Sequence, residues 1–206
     1  TKLKFSGVEG YDVYNITAPF KQDGRWLIVA RVEPRESEHS RVQFFRAKDD
    51  LWVLCSDLPS FVLQDPFITK IADELIFGGV EISPHPTKPG ALTWQTNFYR
   101  GKNVQDLTKF AVGPPGMKDI RLVQLPTGQI AVFTRPQGEV GGRGTIGFLL
   151  IQDLSELTSE NILQAQLLEQ FSPEEWGGAN EVHVLENGLL GVLGHIACFD
   201  EKGDRH

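Results

Sequence analysis

Three acidic residues recur at one step of a repeating pattern. Asp65, Asp119 and Glu181 stand at the opening of an apolar run, in QDPFITKI, KDIRLVQL and NEVHVLENG. Carboxylates brought close together favour each other's protonation and divide the roles of general acid and general base, the division that glycosidic bond cleavage needs. One such Asp alone more often caps a turn. Three in register point to a catalytic site.

Basic and imidazole groups fall at corresponding places on the runs that follow: Arg31 in VARVE, Arg135 in FTRPQG and His195 in LGHIA, with Arg121 two residues after Asp119. Such groups clamp a phosphate or a sugar carboxylate. The amides Asn15 and Asn180 stand at the same strand openings and join them as ligand-binding candidates. The competing reading for each is structural: an Arg neutralises a neighbouring Asp, and a lone His on an apolar strand is a hydrogen-bonded core residue.

Other features carry less. EVGGRGTIG lacks the GxxxxGK[ST] spacing and does not lead into a helix, so it reads as a hairpin loop at a sheet edge. EPRESEHSR, with Glu33, Glu36, Glu38 and His39, reads as solvated surface. His183 and His195 lack close Cys, His or Asp partners, and no HExxH or CxxC occurs, so no metal is expected. The Asn15-Ile16-Thr17 glycosylation pattern reads as fortuitous. Cys55 and Cys198 sit in apolar runs and read as buried free thiols.

The elements that must position these groups are strands. Short β-rich runs separated by Gly, Pro, Asp and Asn cover nearly the whole chain, and only SELTSENILQAQLLEQF, around 155–171, carries helical spacing. DVYNITAPF, QDPFITKI, KDIRLVQL and NEVHVLENG are each followed by a turn and a second strand. A third strand then ends in an Asp-Leu step, at Asp50-Leu51, Asp106-Leu107 and Asp153-Leu154. Asp65 and Asp119 are 54 residues apart and Asp119 and Glu181 are 62 apart, a period that marks propeller blades. Such small sheets bury both faces only by packing on neighbours around an axis, which brings their first strands to one central channel.

The sequence therefore predicts one all-β domain over 1–206, with repeats at 11–58, 63–112, 117–170 and 176–206, the last lacking its third strand so that further residues are expected beyond it. A β-sandwich is the weaker alternative. A net charge of −7 argues against nucleic-acid binding, which rests on neutralising many phosphates. No apolar run reaches the roughly 18 residues a membrane span needs, and no signal peptide opens the chain, so a cytoplasmic protein with a small carbohydrate ligand is expected.

VYNITAPF, LQDPFITKI with FGGVE, GMKDIRLVQL with VFTRPQG and GGRGTIGF, and WGGANEVHVLENGLLGVLGHIACFD together resemble the family known as domain of unknown function 1861. That family is related to the β-mannoside phosphorylases and hydrolases of glycoside hydrolase family 130. The resemblance implies a five-bladed β-propeller, of which this chain covers about three and a half to four blades. It implies that Asp65 matches the proton-donating acid, that His195 matches the His of a phosphate-binding Tyr-His-Gly step, and that Arg121 and Arg135 match phosphate-binding arginines. Phe67 stands where those enzymes carry Arg after Asp-Pro, and Gly194 where they carry Tyr. The expected activity is a glycoside hydrolase or phosphorylase acting by inverting displacement, with no cofactor beyond inorganic phosphate as co-substrate. A carbohydrate-binding propeller that cuts nothing is the alternative.

Overall fold

The computed structural model describes residues 2–36 and 39–206. Four sheets follow one another along the chain. The first contains β1 (Phe5–Ser6), β2 (Tyr11–Tyr14), β3 (Phe20–Gln22), β4 (Arg25–Pro34), β5 (Arg41–Lys48) and β6 (Leu51–Leu54), in the order β1-β6-β5-β4-β2. β2 and β3 both pair with β4, at Tyr14↔Arg31 and Phe20↔Leu27, so together they form one interrupted inner strand. Asp23 and Gly24 between β3 and β4 both take left-handed backbone, φ 51° and 74°, as a two-residue hairpin turn of matching twist requires.

The second sheet is an antiparallel meander of β7 (Gln64–Ile71), β8 (Glu74–Pro84), β9 (Leu92–Gly101) and β10 (Thr108–Val112). The third contains β11 (Arg121–Gln124), β12 (Ile130–Thr134), β13 (Gly147–Ile151) and β14 (Gln166–Leu167), with helix α1 (Ser159–Ile162) before its last strand. The fourth pairs β15 (Trp176–Val184) with β16 (Leu190–Ala197).

Alternation along each strand explains how the sheets stack. Leu27 and Val29 of β4 pack with Leu75 and Phe77 of the second sheet, whereas Ile28, Ala30 and Val32 face the opposite side, towards Val8 and Phe45. Ile130 and Val132 of β12 meet Ile76 and Phe98 of the second sheet, and Ala131 and Phe133 meet Ala179 and Val182 of the fourth. Strands apolar on both faces are those of sheets sandwiched between neighbours, and successive side chains serving opposite cores follow from the period of two. The first strands β2, β7, β11 and β15 are each an edge of their sheet, and the β7–β11 and β11–β15 pairs lie against one another.

Two expectations need correction and a third is met. The third strands β5, β9 and β13 stop just short of their Asp-Leu steps, and a fourth strand that the repeat did not include begins at or after each step, as β6, β10 and β14. Asp106 completes a capping box with Asn103, and Asp153 accepts from the Ser155 amide, so Asp recurs there because its carboxylate satisfies free backbone N–H groups. The segment with helical spacing, expected to hold a short surface helix or a turn-rich connection, does hold the short helix α1, though Ile162 is drawn into the core between the second and third sheets and Gln166–Leu167 pair as a strand. Both cysteines are free, but only Cys55 is buried; Cys198 is half-exposed where β16 gives way to the final turn. Among the described residues no helix is long and apolar enough to cross a membrane.

Candidate functional site

The inner strands place their chemistry by backbone irregularity. In β7 the register slips between Gln64 and Phe67, so Asp65 and Pro66 together oppose Gly79, and Asp65 takes φ 47°. Asn15 at the end of β2 has φ 49°, and Asp119 before β11 has φ 56°. Left-handed backbone is costly for most residues, and Asn and Asp tolerate it best. A bulge of this kind turns a side chain out of the sheet's alternation, here towards the convergence of the strands. In β15 the slip falls between Ala179 and Glu181. The residue of the fourth sheet equivalent to Asp65 is therefore Asn180, and Glu181 sits one position further on.

Asn15, Arg31, Asp65, Asp119, Arg121, Arg135, Asn180, Glu181 and His195 all line a single cavity of about 1070 Å³. The first of its two clusters centres on Asp65. Its Oδ1 accepts hydrogen bonds from Asn15 Nδ2 and from Arg31 Nη1, the latter at 3.2 Å. Among the described residues nothing donates to its Oδ2. The other flank of Arg31 is taken by Glu33 Oε2, at 3.0 Å from Nε and 2.5 Å from Nη2, and Glu33 Oε1 accepts from the Tyr14 hydroxyl. Burial and the bond to Glu33 push the Tyr14 phenol up to about 12. Glu33 is thus no part of a solvated loop. It shares the face of Arg31 two residues on, and its side chain is 12% exposed. Glu36 and His39 are exposed, and Glu38 lies outside the described residues.

The second cluster forms the floor. Asp119 Oδ2 accepts from Arg135 Nη1 at 3.1 Å, and its Oδ1 lies 3.7 Å from Arg121 Nη2. Arg121 Nε donates to the Asn180 carbonyl at 2.7 Å, and Arg135 Nε to the Gly177 carbonyl at 2.6 Å. All three side chains are nearly buried. Phe67 lies under Arg121, its ring centroid 5.2 Å from the guanidinium carbon, so the residue after the Asp-Pro step supports a cation instead of supplying one. Burial lowers the proton affinity of Arg121, opposed by Asp119, Asp65 and Glu181 in that order; all three carboxylates thus act on one guanidinium. Glu181 itself contacts His183 Nε2 at 3.0 Å.

His195 Nδ1 lies 2.7 Å from Asn180 Oδ1. With the amide oxygen as acceptor, Nδ1 carries the proton. Burial lowers the imidazole pKa, helped by Arg135, Lys118 and Arg205 and opposed by Asp119. A folded pKa below the unfolded one means that the unfolded chain binds more protons in the interval between them. His195 therefore contributes stability above its unfolded value of 6.5 that is lost as pH falls through the folded value. His195→Gln is expected to flatten that acid loss in urea melts, and imidazole NMR titration should place His195 below 6.5; an unchanged slope would count against a buried neutral ring.

The glycines flanking this floor are spacers. A Cβ at Gly178 would stand 2.7 Å from Arg135 Cδ and 3.2 Å from His195 Cε1, and one at Gly144 would stand 2.7 Å from Arg135 Nε. Gly178→Ala is expected to cost about 1–3 kcal/mol by overpacking, measured by chemical denaturation, and a neutral result would show that Arg135 moves aside freely. The loop around GGRG is likewise no remote edge: it closes on itself at Gly138↔Gly142, and Arg143 lines the cavity beside Trp176. Lys118, Arg143 and Arg205 were not singled out from the sequence. Lys118 adjoins Asp119 and could have been; the other two depend on how loops fold back. Among the described residues no group of three or more His, Cys, Asp and Glu side chains is placed to hold a metal ion.

The profile of the family described as "Protein of unknown function (DUF1861)" matches residues 1–206. No curated protein matches the chain. Among solved structures, a mannose phosphorylase from Leishmania mexicana, determined with a phosphate ion, is 37% identical with a TM-score of 0.87, over 99% of this chain and 64% of that one. A GDP-Man-dependent mannosyltransferase from Leishmania mexicana is 34% identical with a TM-score of 0.85, over 98% and 64%. This chain thus spans just under two thirds of the length of either. A β-1,2-mannobiose phosphorylase from Listeria innocua shares the fold at 14% identity and a TM-score of 0.58, over 95% and 74%. The fold is of the type seen in propeller glycoside hydrolases.

Proposed function

The chain belongs to the DUF1861 family, and we propose that it acts on β-mannosides as an inverting phosphorylase. The observation that carries this reading is the charge of the cavity. Among the described residues six cationic side chains line it (Arg31, Lys118, Arg121, Arg135, Arg143, Arg205) against three carboxylates, Asp65, Asp119 and Glu181, in a chain whose net charge is −7. A concentration of positive charge in an acidic protein is a site for an anionic reactant. The likeness to a mannose phosphorylase with bound phosphate supports the same assignment.

In this reading Arg121, Arg135 and His195 hold hydrogen phosphate, with Asp119 as the fixed counter-charge that aligns both arginines. Asp65 is the general acid, its proton carried on Oδ2, and Asn15 and Arg31 hold its other oxygen. A phosphate oxygen forms a bond to the anomeric carbon as the glycosidic C–O bond breaks, and the Asp65 proton passes to the departing oxygen. The products are α-mannose 1-phosphate and the shortened sugar. No general base is needed. Hydrolysis would instead require Glu181 to activate water, since both oxygens of Asp119 are engaged by arginines. The repeats over 11–58, 63–112, 117–170 and 176–206 would be blades of a five-bladed propeller; Val192 and Ile196 on one face of β16, 41% and 61% exposed, support a fourth blade whose apolar face a neighbouring blade would cover.

The similarity to a GDP-Man-dependent mannosyltransferase makes transfer from GDP-mannose the second reading. Incubation with β-1,2-mannobiose and inorganic phosphate, followed by ³¹P NMR, is expected to yield mannose 1-phosphate. Sugar release that ignores phosphate would replace the reading by hydrolysis, GDP release from GDP-mannose with a lengthened sugar acceptor formed in step would replace it by transfer, and saturable binding without turnover would leave a binding propeller.

A further inference from the structure

We infer that Glu33, held in place by Tyr14, is a positioning residue for Asp65 and acts through Arg31. The inference rests on Asp65 being the proton donor. Arg31 stands between two carboxylates, with side-chain exposures of 12% for Arg31, 12% for Glu33 and 14% for Asp65. Guanidinium and carboxylate prefer to meet through two parallel hydrogen bonds. Left alone with Asp65, Arg31 would take both of its oxygens, and Oδ2 would be closed to substrate.

Glu33 prevents this. It occupies Nε and Nη2 of Arg31, which turns the guanidinium so that only Nη1 reaches Asp65, at Oδ1. Tyr14 locks Glu33 from its other oxygen, and its ring lies 5.0 Å from the Arg31 guanidinium carbon. Asn15 donates to the same Oδ1. Among the described residues both donors to Asp65 thus converge on one oxygen, and the second is left for the departing sugar oxygen. Glu33 touches no reacting atom; its part is to keep Arg31 to a single bond.

The test separates positioning from mere support by varying how much the leaving group needs a proton. Wild type, Glu33→Gln and Asp65→Asn are compared, in phosphate, on β-1,2-mannobiose, whose departing oxygen must be protonated, and on 2,4-dinitrophenyl β-mannoside, whose phenolate leaves without a proton. Glu33→Gln is expected to lower kcat on mannobiose by about 10- to 100-fold, a part of what general acid catalysis supplies, with KM little changed and a much smaller loss on the aryl substrate. Equal losses on both substrates, or none on either, overturn the inference. If Asp65→Asn also shows no dependence on the leaving group, the assignment of Asp65 as proton donor is wrong. If Asp65→Asn shows it and Glu33→Gln does not, only the role of Glu33 falls. Tyr14→Phe, which removes one bond to the same carboxylate, should show the same preference at smaller size and serves if Glu33→Gln does not fold.

Discussion

On the proposed mechanism, Asp65→Asn is expected to lower phosphorolysis of the test substrate β-1,2-mannobiose by about 10²–10⁴-fold, the range that a positioned general acid contributes. The substitution keeps the shape of the side chain, and its amide can face Arg31 with the oxygen that accepts at Oδ1 now. What it removes is the acidic proton on Oδ2, to which no group among the described residues donates. The loss should therefore fall on kcat, with phosphate affinity largely retained, because Arg121, Arg135 and His195 are held by hydrogen bonds and ion pairs to Asp119, Gly177 and Asn180, and Asp65 reaches Arg121 through its charge alone. Steady-state kinetics with mannobiose and phosphate varied independently would check this. A variant as active as wild type would remove Asp65 from the chemistry.

The second large effect is on stability. Asp119→Ala leaves Arg121 and Arg135 without the one carboxylate that touches both, in a place where their side chains are 6% and 5% exposed. Breaking a buried pair from one side leaves an uncompensated charge and costs about 3–5 kcal/mol, which in a domain of this size lowers the melting temperature by roughly 10 °C. Phosphate should restore part of that loss, since an anion bound between the arginines takes the place of the missing carboxylate and ligand binding stabilises by mass action. Thermal melts with and without phosphate would show both effects. A melting temperature unmoved by the substitution would mean that the arginines reach solvent, and a loss untouched by phosphate would count against anion binding at this floor.

These two expectations differ in how visible they were beforehand. That Asp65 and Asp119 are equivalent followed from the repeat, because each opens a strand of the same character and each period of about fifty residues builds one sheet. Glu181 was aligned with them by the same pattern and falls one residue late. A bulge inserts a residue into one strand only, and a one-residue slip reverses every later side chain, so the amide of Asn180 takes the equivalent place. Nothing in NEVHV marks where the extra residue sits. Glu33 was legible in part. It follows Arg31 by two on a strand, which places both on one face, but the charged residues after it made the segment read as surface. The short helix was legible from its spacing, but its inward face was not: the core between the second and third sheets takes Leu154, Leu157 and Ile162 from what read as a surface connection.

The amino-acid sequence by itself determined the class of secondary structure, the sheet repeat and the residue types that meet at the inner strands, because hydrophobic alternation and turn chemistry are local and survive without any neighbour. The tertiary structure decided which atoms face one another: that Arg31 divides itself between Glu33 and Asp65, that Asp119 joins two arginines, and that a glycine loop brings Arg143 to the cavity. Those choices depend on strand register, bulges and loop closure, which are set by packing between segments far apart in the chain.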